Sequence, residues 1–500
     1  MKLRTFALSV VAAAVLATPA GAATPGFFIG VVEEPASLGQ ARPHFSELGL
    51  RAVKVWVEWQ PGQSTPTPEQ TRILMHARAA LPAGTRIVPA VGSSGRNAPT
   101  DEARRSEYCA FVRELLRPFR SIRDVVIWNE PNKTANWAPQ YNPDGTSAAP
   151  AAYVALLARC WDVLRAFRPS VNVVGGATSP RGNDRPNAVS NISHSPSVFI
   201  QRMGEAYRAS GRRQRIFDAF AHHAYGSQPG ERPWRVHGAT QISQGDHFKL
   251  MTVLSAAFGG TGQAVPGQCR PGGCVWIWYA EFGYQTEPDE ARRPLYTGEE
   301  NFVPIPDFAG GEPAGASLTP TAPDQSTQIV DGIRLAYCQP YVQGVFNFKL
   351  ADDSHLDGWQ SGFLWADWTP KDSYSAFREA IAEARARSVD CSRLKGGPVP
   401  GVDLRAPRKV AYRRVLVRSR RVALDWRESG EPDVMGYRVY RAPRRAGRYT
   451  LLVPRLVTAS AYVDRRVRNG RTYCYAVAAV DSSENAGPRS RPRCVTPRRR

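Results

Sequence analysis

Eight short runs rich in Val, Ile and aromatic residues recur at 27–32, 52–59, 86–91, 125–129, 171–175, 217–225, 275–282 and 344–350. Between them, stretches such as 102–119, 151–167, 196–210 and 328–338 carry apolar residues at three- and four-residue spacing, and 373–386 follows the eighth run. Runs that are apolar almost throughout belong to strands buried on both faces, the situation in a parallel sheet covered by helices. Eight such units predict an α/β chain folded as a (β/α)8 TIM barrel over 24–392. An open doubly wound sheet is the competing arrangement. No glycine-rich phosphate loop follows the first run, which counts against its nucleotide-binding form. Two connections are long, 226–246 and 285–324, and in a barrel both rise from the C-terminal face, where active sites lie.

A second module is predicted beyond 395–401 (Lys-Gly-Gly-Pro-Val-Pro-Gly), inside a Pro/Gly linker placed at 393–404. Past it the hydrophobic period becomes two, as in the run 472–480, which indicates an all-β sandwich. Leu424-x-Trp426, Tyr437-x-x-Tyr440, Tyr462-x-Asp464 and Tyr473-x-Tyr475 together resemble a fibronectin type III domain, placed at 405–500. The net charge of +21 is concentrated there: residues 401–500 hold 25 Lys and Arg against 8 Asp and Glu, a surplus of 17. Such a field suits anionic polymers, here cell-wall material, with Arg-rich codon usage as the plain alternative.

The N-terminus reads as a secretory signal peptide over 1–23: Lys2 and Arg4, an apolar stretch at 6–16, then Ala20-Gly21-Ala22. That stretch is too short for a transmembrane span, and no later one reaches the length required. A secreted, extracellular, monomeric protein is expected, and export argues against nucleic acid as a partner. The eight cysteines contain no C-x-x-C pair and no Cys/His cluster, so no zinc site is expected; no other metal and no cofactor are expected either. In an oxidising compartment they read as disulfides. Nearest-neighbour pairing is expected: 109–160, 269–274, 338–391 and 474–494.

Two carboxylates carry the chemistry. The fourth run ends in Asn129-Glu130-Pro131-Asn132 and the seventh in Ala280-Glu281-Phe282-Gly283. A Glu at the end of each strand would face the other across the barrel mouth, as glycoside hydrolysis requires. Asn129-Glu130-Pro131 with Glu281-Phe282-Gly283 resembles the clan A retaining glycoside hydrolases, most of all the cellulase-type members, over 26–388. The resemblance implies Glu130 as general acid/base, Glu281 as nucleophile and Asn129 as a hydrogen-bond partner of the sugar 2-OH. In His223-Ala224-Tyr225 it implies that Tyr225 donates to Glu281 and that His223 lines the −1 subsite. A nearby negative Glu281 would keep Glu130 protonated. Trp56 and Trp59 read equally as sugar platforms or as core. The clan places a Trp near strand eight; Val345-Phe346-Asn347-Phe348-Lys349 has none, so Trp359 and Trp365 in the next loop are the candidate substitutes. The expected substrate is a β-linked polysaccharide. The alternative is a carbohydrate-binding protein without activity on the same scaffold.

Overall fold

The computed structural model describes residues 24–299, 324–391 and 406–498, apart from 228–230, 239, 271–272, 289, 430, 432–433, 454–455, 458 and 482–485. The expected signal peptide, the linker and most of the 285–324 connection therefore lie outside the described residues.

Strands and helices alternate as β1 (Phe28–Val32), α1 (Leu38–Leu48), β2 (Ala52–Glu58), α2 (Pro68–Ala80), β3 (Arg86–Gly92) and α3 (Glu102–Leu116). They continue as β4 (Asp124–Ile127), α4 (Ala149–Phe167), β5 (Asn172–Thr178), α5 (Pro196–Ala209), β6 (Ala219–His223) and α6 (His247–Phe258). A hairpin, β7 (Cys269–Arg270) with β8 (Gly273–Cys274), precedes β9 (Trp276–Phe282), α7 (Gln325–Cys338), β10 (Val342–Phe348) and α8 (Ser373–Ala386). The barrel closes in the order β1-β2-β3-β4-β5-β6-β9-β10, every pair parallel.

Each strand buries both faces, which is why its run is apolar without alternation. The outward face joins the helices in one core, through residues such as Val53, Val55, Ile127 and Tyr279. The inward face is filled by small residues, Ala52, Ala90, Ala219, Ala221 and Ala280, around Phe28, Trp278 and Phe346. Arg86 stacks over the Phe28 and Trp278 rings at 4.4 and 4.8 Å and pairs with Asp124, ending the filled interior. No described helix is long and apolar enough to cross a membrane.

The C-terminal strands form two antiparallel sheets. One is β11 (Tyr412–Arg418), β12 (Arg421–Trp426) and β15 (Ala461–Asp464); the other is β14 (Thr450–Leu451), β13 (Val434–Ala442), β16 (Tyr473–Asp481) and β17 (Arg493–Val495). Leu424, Trp426, Tyr437, Val439, Tyr475 and Val477 share their core, as a sandwich requires. All four expected cysteine pairs are disulfide-bonded. They join α3 to α4, close the β7–β8 hairpin, tie α7 to the segment after α8, and join β16 to β17.

Candidate active site

The lumen side of β2 carries Ala52, Lys54, Trp56 and Glu58, alternate residues that climb from the filled interior to the mouth. Above that interior opens a cleft of about 1200 Å³ lined by Lys54, Trp56, Asn129, Glu130, Tyr225, Glu281 and Trp359, among others.

Glu130 and Glu281 reach the cleft by local departures from regular strand. Beyond β4 the backbone turns through positive φ at Trp128 (67°) and Glu130 (37°), conformations that cost a side-chain-bearing residue energy. Surrounding contacts hold that turn. Trp128 N–H donates to Val91 O and Glu130 N–H to Ala177 O, both at 2.9 Å, while the Trp128 ring is buried among Trp59, Tyr108 and Trp137. Asn132 clamps the following loop: its Nδ2 donates to Ser179 O and His194 O, and its Oδ1 accepts from Ser179 N–H. On β9, pairing steps from His222–Tyr279 to His223–Glu281, one residue on β6 against two on β9. This bulge re-aims Glu281 towards the lumen beside Ala280.

His223 is fully buried between the two carboxylates. Its Nδ1 lies 3.0 Å from Glu130 Oε1 and 3.2 Å from Glu281 Oε2. Ionised carboxylate oxygens only accept, so Nδ1 carries the hydrogen. The two oxygens it bridges can therefore be no more than about 6 Å apart. Glu281 also accepts from Lys54 Nζ at 2.5 Å and from the Tyr225 hydroxyl at 3.3 Å. Burial, then the charges of Glu281 and Glu130, push the Tyr225 phenol well above its ordinary value, so it stays a donor. Asn136 Nδ2 stands 3.5 Å from Glu130 Oε2.

The electrostatics of Glu130 correct the sequence expectation. Burial raises its carboxyl, but the hydrogen bond and charge of His223, with Lys133 and Lys54, outweigh burial and hold it below the ordinary carboxylate value. Repulsion from Glu281 was expected to dominate. Burial is instead what raises this carboxyl, and the imidazole with the two lysines outweighs it.

The aromatic candidates separate. Trp56 is 38% exposed and lines the cleft. Its ring lies against β3 because Gly92 has no side chain; a Cβ there would stand 2.4 Å from the indole. Trp59 is core, donating Nε1–H to Gln63 O. Trp359 lines the cleft, tilted on Tyr225 at 5.1 Å and edge-on to Phe348 at 5.3 Å. Trp365 does not reach the cleft: it is buried with Tyr296 and Leu356, between the Arg292 and Lys371 cations, because a tight turn (Trp368 N–H to Trp365 O) folds it under the loop. His223 also departs from its expected place, since it touches both carboxylates from beneath and forms no part of the cleft surface.

Lys54 is the site residue that strand pattern could have revealed and did not. A single cation in the run Ala-Val-Lys-Val-Trp-Val-Glu has the parity of Trp56, and a buried ammonium needs a carboxylate. His222 faces outward. Its Nε2–H donates to Ile242 O, and its Nδ1 stands 2.8 Å from the Thr178 hydroxyl. Burial lowers its imidazole to about 4. It is a neutral tie between β6 and the 226–246 loop.

No family model matches the chain. A curated amylopullulanase from Thermoanaerobacter thermohydrosulfuricus is 32% identical over 88 residues, 17% of this chain and 6% of that protein. The chain thus spans a small part of the length of that relative. A family 39 glycoside hydrolase from the gut symbiont Bacteroides cellulosilyticus WH2 aligns over 87% of this chain and 80% of its own, at 12% identity and a TM-score of 0.47. β-Glucuronidase 3 of Bacteroides uniformis aligns over 95% of this chain and 49% of its own, at 9% identity and a TM-score of 0.39. The barrel itself rests on its strand order and register.

Proposed function

We propose that this chain is a secreted retaining β-glycoside hydrolase acting on a β-linked polysaccharide. One observation carries it: Glu130 and Glu281 share His223 Nδ1, which keeps their nearest oxygens within about 6 Å. Retaining enzymes hold their carboxyl groups about 5–5.5 Å apart, whereas inverting ones leave about 6.5–9.5 Å for a water molecule.

Glu281 is the nucleophile. Lys54, Tyr225 and His223 aim three donors at its carboxylate, fixing its orientation under the anomeric carbon. Glu130 protonates the departing glycosidic oxygen as the Glu281–sugar ester forms. It then takes a proton from the water that cleaves the ester, so the anomeric configuration is kept. Asn129, beside Glu130 on the cleft wall, meets the sugar 2-OH. Trp56 and Trp359 offer ring faces to sugar rings.

Secretion is supported by the signal-like 1–23 segment and by four disulfides. The catalytic unit spans 24–392, with a linker at 393–404 and a sandwich at 405–500 that holds the chain on anionic cell-wall polymers.

Purified chain is assayed on β-glucans, xylans and mannans, alongside two variants. Glu281→Ala is expected to lose hydrolysis, and azide to restore it with formation of an α-glycosyl azide. Glu130→Ala is expected to retain the first step on substrates with good leaving groups. Near-normal polysaccharide hydrolysis by both variants would refute the assignment.

A further inference from the structure

The cleft has two unlike walls. On the side of β9, β10 and β1 its charges are mutually satisfied. Lys349 Nζ pairs with Glu34 and Asp353, and Glu33 accepts from the Glu34 and Leu350 amides and the Ser37 hydroxyl. Glu58, at the end of β2, accepts from Gln60 Nε2.

The opposite wall, built from the loops after β4 and β5, carries Lys133 and Arg181. Among the described residues neither forms a direct ion pair with a carboxylate. Lys133 is half-buried and close enough to Glu130 to help hold its carboxyl down. Arg181 is exposed, and Nη1 donates to Gly226 O at 3.0 Å, which anchors the guanidinium at the cleft rim and leaves the rest of its fork uncommitted. Lysine is otherwise scarce: the chain has eight, against 57 arginines.

We infer that Lys133 and Arg181 form a recognition site for an anionic substituent, a uronate carboxylate or a sulfate ester, on the sugar at the leaving-group side of the cleft. The side follows from the barrel order. Glu281 rises from β9, so the sugar it attacks lies towards that wall. The departing oxygen faces Glu130 on β4, and the sugar it belongs to continues towards the rim after β4 and β5. A guanidinium and an ammonium lining one cleft wall match an anionic group better than a hydroxyl. A neutral sugar would leave Arg181 without an anionic partner and Lys133 with Glu130 alone. The assignment of sides rests on the glycosidase proposal; the charge recognition does not.

The test uses the full chain carrying Glu281→Gln, so that binding is read without turnover. Matched β-1,3- and β-1,4-linked gluco-oligosaccharides are titrated calorimetrically in three forms: neutral, oxidised at C6 to the uronate, and sulfated at C6. One charge-assisted contact corresponds to about tenfold in affinity. At least one anionic form is expected to bind about tenfold more tightly than its neutral counterpart, and the stronger of the two identifies the group. Adding Lys133→Gln and Arg181→Gln is expected to bring charged and neutral forms within about twofold of each other. An anionic preference that survives both substitutions would place the recognition elsewhere, in the basic sandwich, and overturn the proposal. Equal binding of all three forms, or binding of none, would also overturn it. Hydrolysis by the unaltered chain is measured separately, so failure of the glycosidase proposal is seen on its own.

Discussion

Replacing His223 is expected to move the basic limb of the pH–rate profile upwards. On the proposed mechanism Glu130 must be protonated to act as an acid, so activity is expected to fall as pH rises through its titration. In the native site burial raises this carboxyl, but the His223 hydrogen bond and charge, with Lys133 and Lys54, outweigh burial and hold it below its ordinary value. The native basic limb should therefore fall at acidic pH. In His223→Ala the 3.0 Å contact to Glu130 Oε1 is lost and burial is opposed only by Lys133 and Lys54. A hydrogen bond to a charged group contributes about 1.5–3 kcal/mol. At 1.36 kcal/mol per pH unit, its loss moves the limb about one to two units higher. His223→Gln, which retains a neutral donor, should move it less. The assay is kcat/KM against pH on a glycoside with a poor leaving group, where protonation limits the rate. A limb that stays in place, or moves down, would refute the claim that His223 governs the proton on Glu130.

Three further outcomes follow from particular contacts. Lys54→Met removes the cation 2.5 Å from Glu281 and leaves that carboxylate largely buried; a loss of about 3–5 kcal/mol in denaturant stability is expected, and an unchanged midpoint would show the pair to be dispensable. Replacing Cys109 and Cys160 by Ala opens a loop of sequence separation 51 and should cost up to about 4 kcal/mol, against roughly 2 for Cys269 and Cys274 at separation 5; equal losses by urea titration would contradict loop-closure entropy as the cause. The full chain should adhere to an anionic polysaccharide resin at low salt and elute at moderate salt, less tightly once the exposed Arg413, Arg414, Arg418 and Arg421 are changed to Gln; retention at high salt would exclude a screened electrostatic contact.

The barrel was legible because its strands bury both faces and announce themselves as unbroken apolar runs. Where a run looked like its own end, packing decided otherwise. The fifth was expected to stop at 175, yet β5 continues to Thr178, with Gly176 at φ +90°. A Cβ there would stand 2.5 Å from Ala221 O, so a residue that reads as a breaker is the one that lets β6 approach. Helix α1 carries a weak pattern because Gly39 and Pro43 interrupt it, while burial of Leu38, Ala41, Phe45 and Leu48 holds it. Nearest-neighbour cysteine pairing succeeded for a topological reason. Successive helices of a barrel are adjacent in space, so Cys109 on α3 meets Cys160 on α4.

At the candidate site, residue types were legible and relationships were not. Glu130 and Glu281 stand out as charges at the ends of apolar strands. That they share one imidazole depends on the bulge at Ala280, which turns Glu281 towards β6, and on the positive-φ turn at Glu130. Neither leaves a mark in the local sequence, because each is imposed by neighbouring strands. Two carboxylates considered alone raise one another's proton affinity. At Glu130 the imidazole placed between them, 3.0 Å away, acts the other way and with Lys133 and Lys54 outweighs burial. The sign of the effect on Glu130 is thus a property of groups brought together from several strands and loops. Strand parity can place Lys54, Trp56 and His223 on the lumen face, since each alternates with a buried alanine or another lumen residue. It cannot say which of them stands between the two acids.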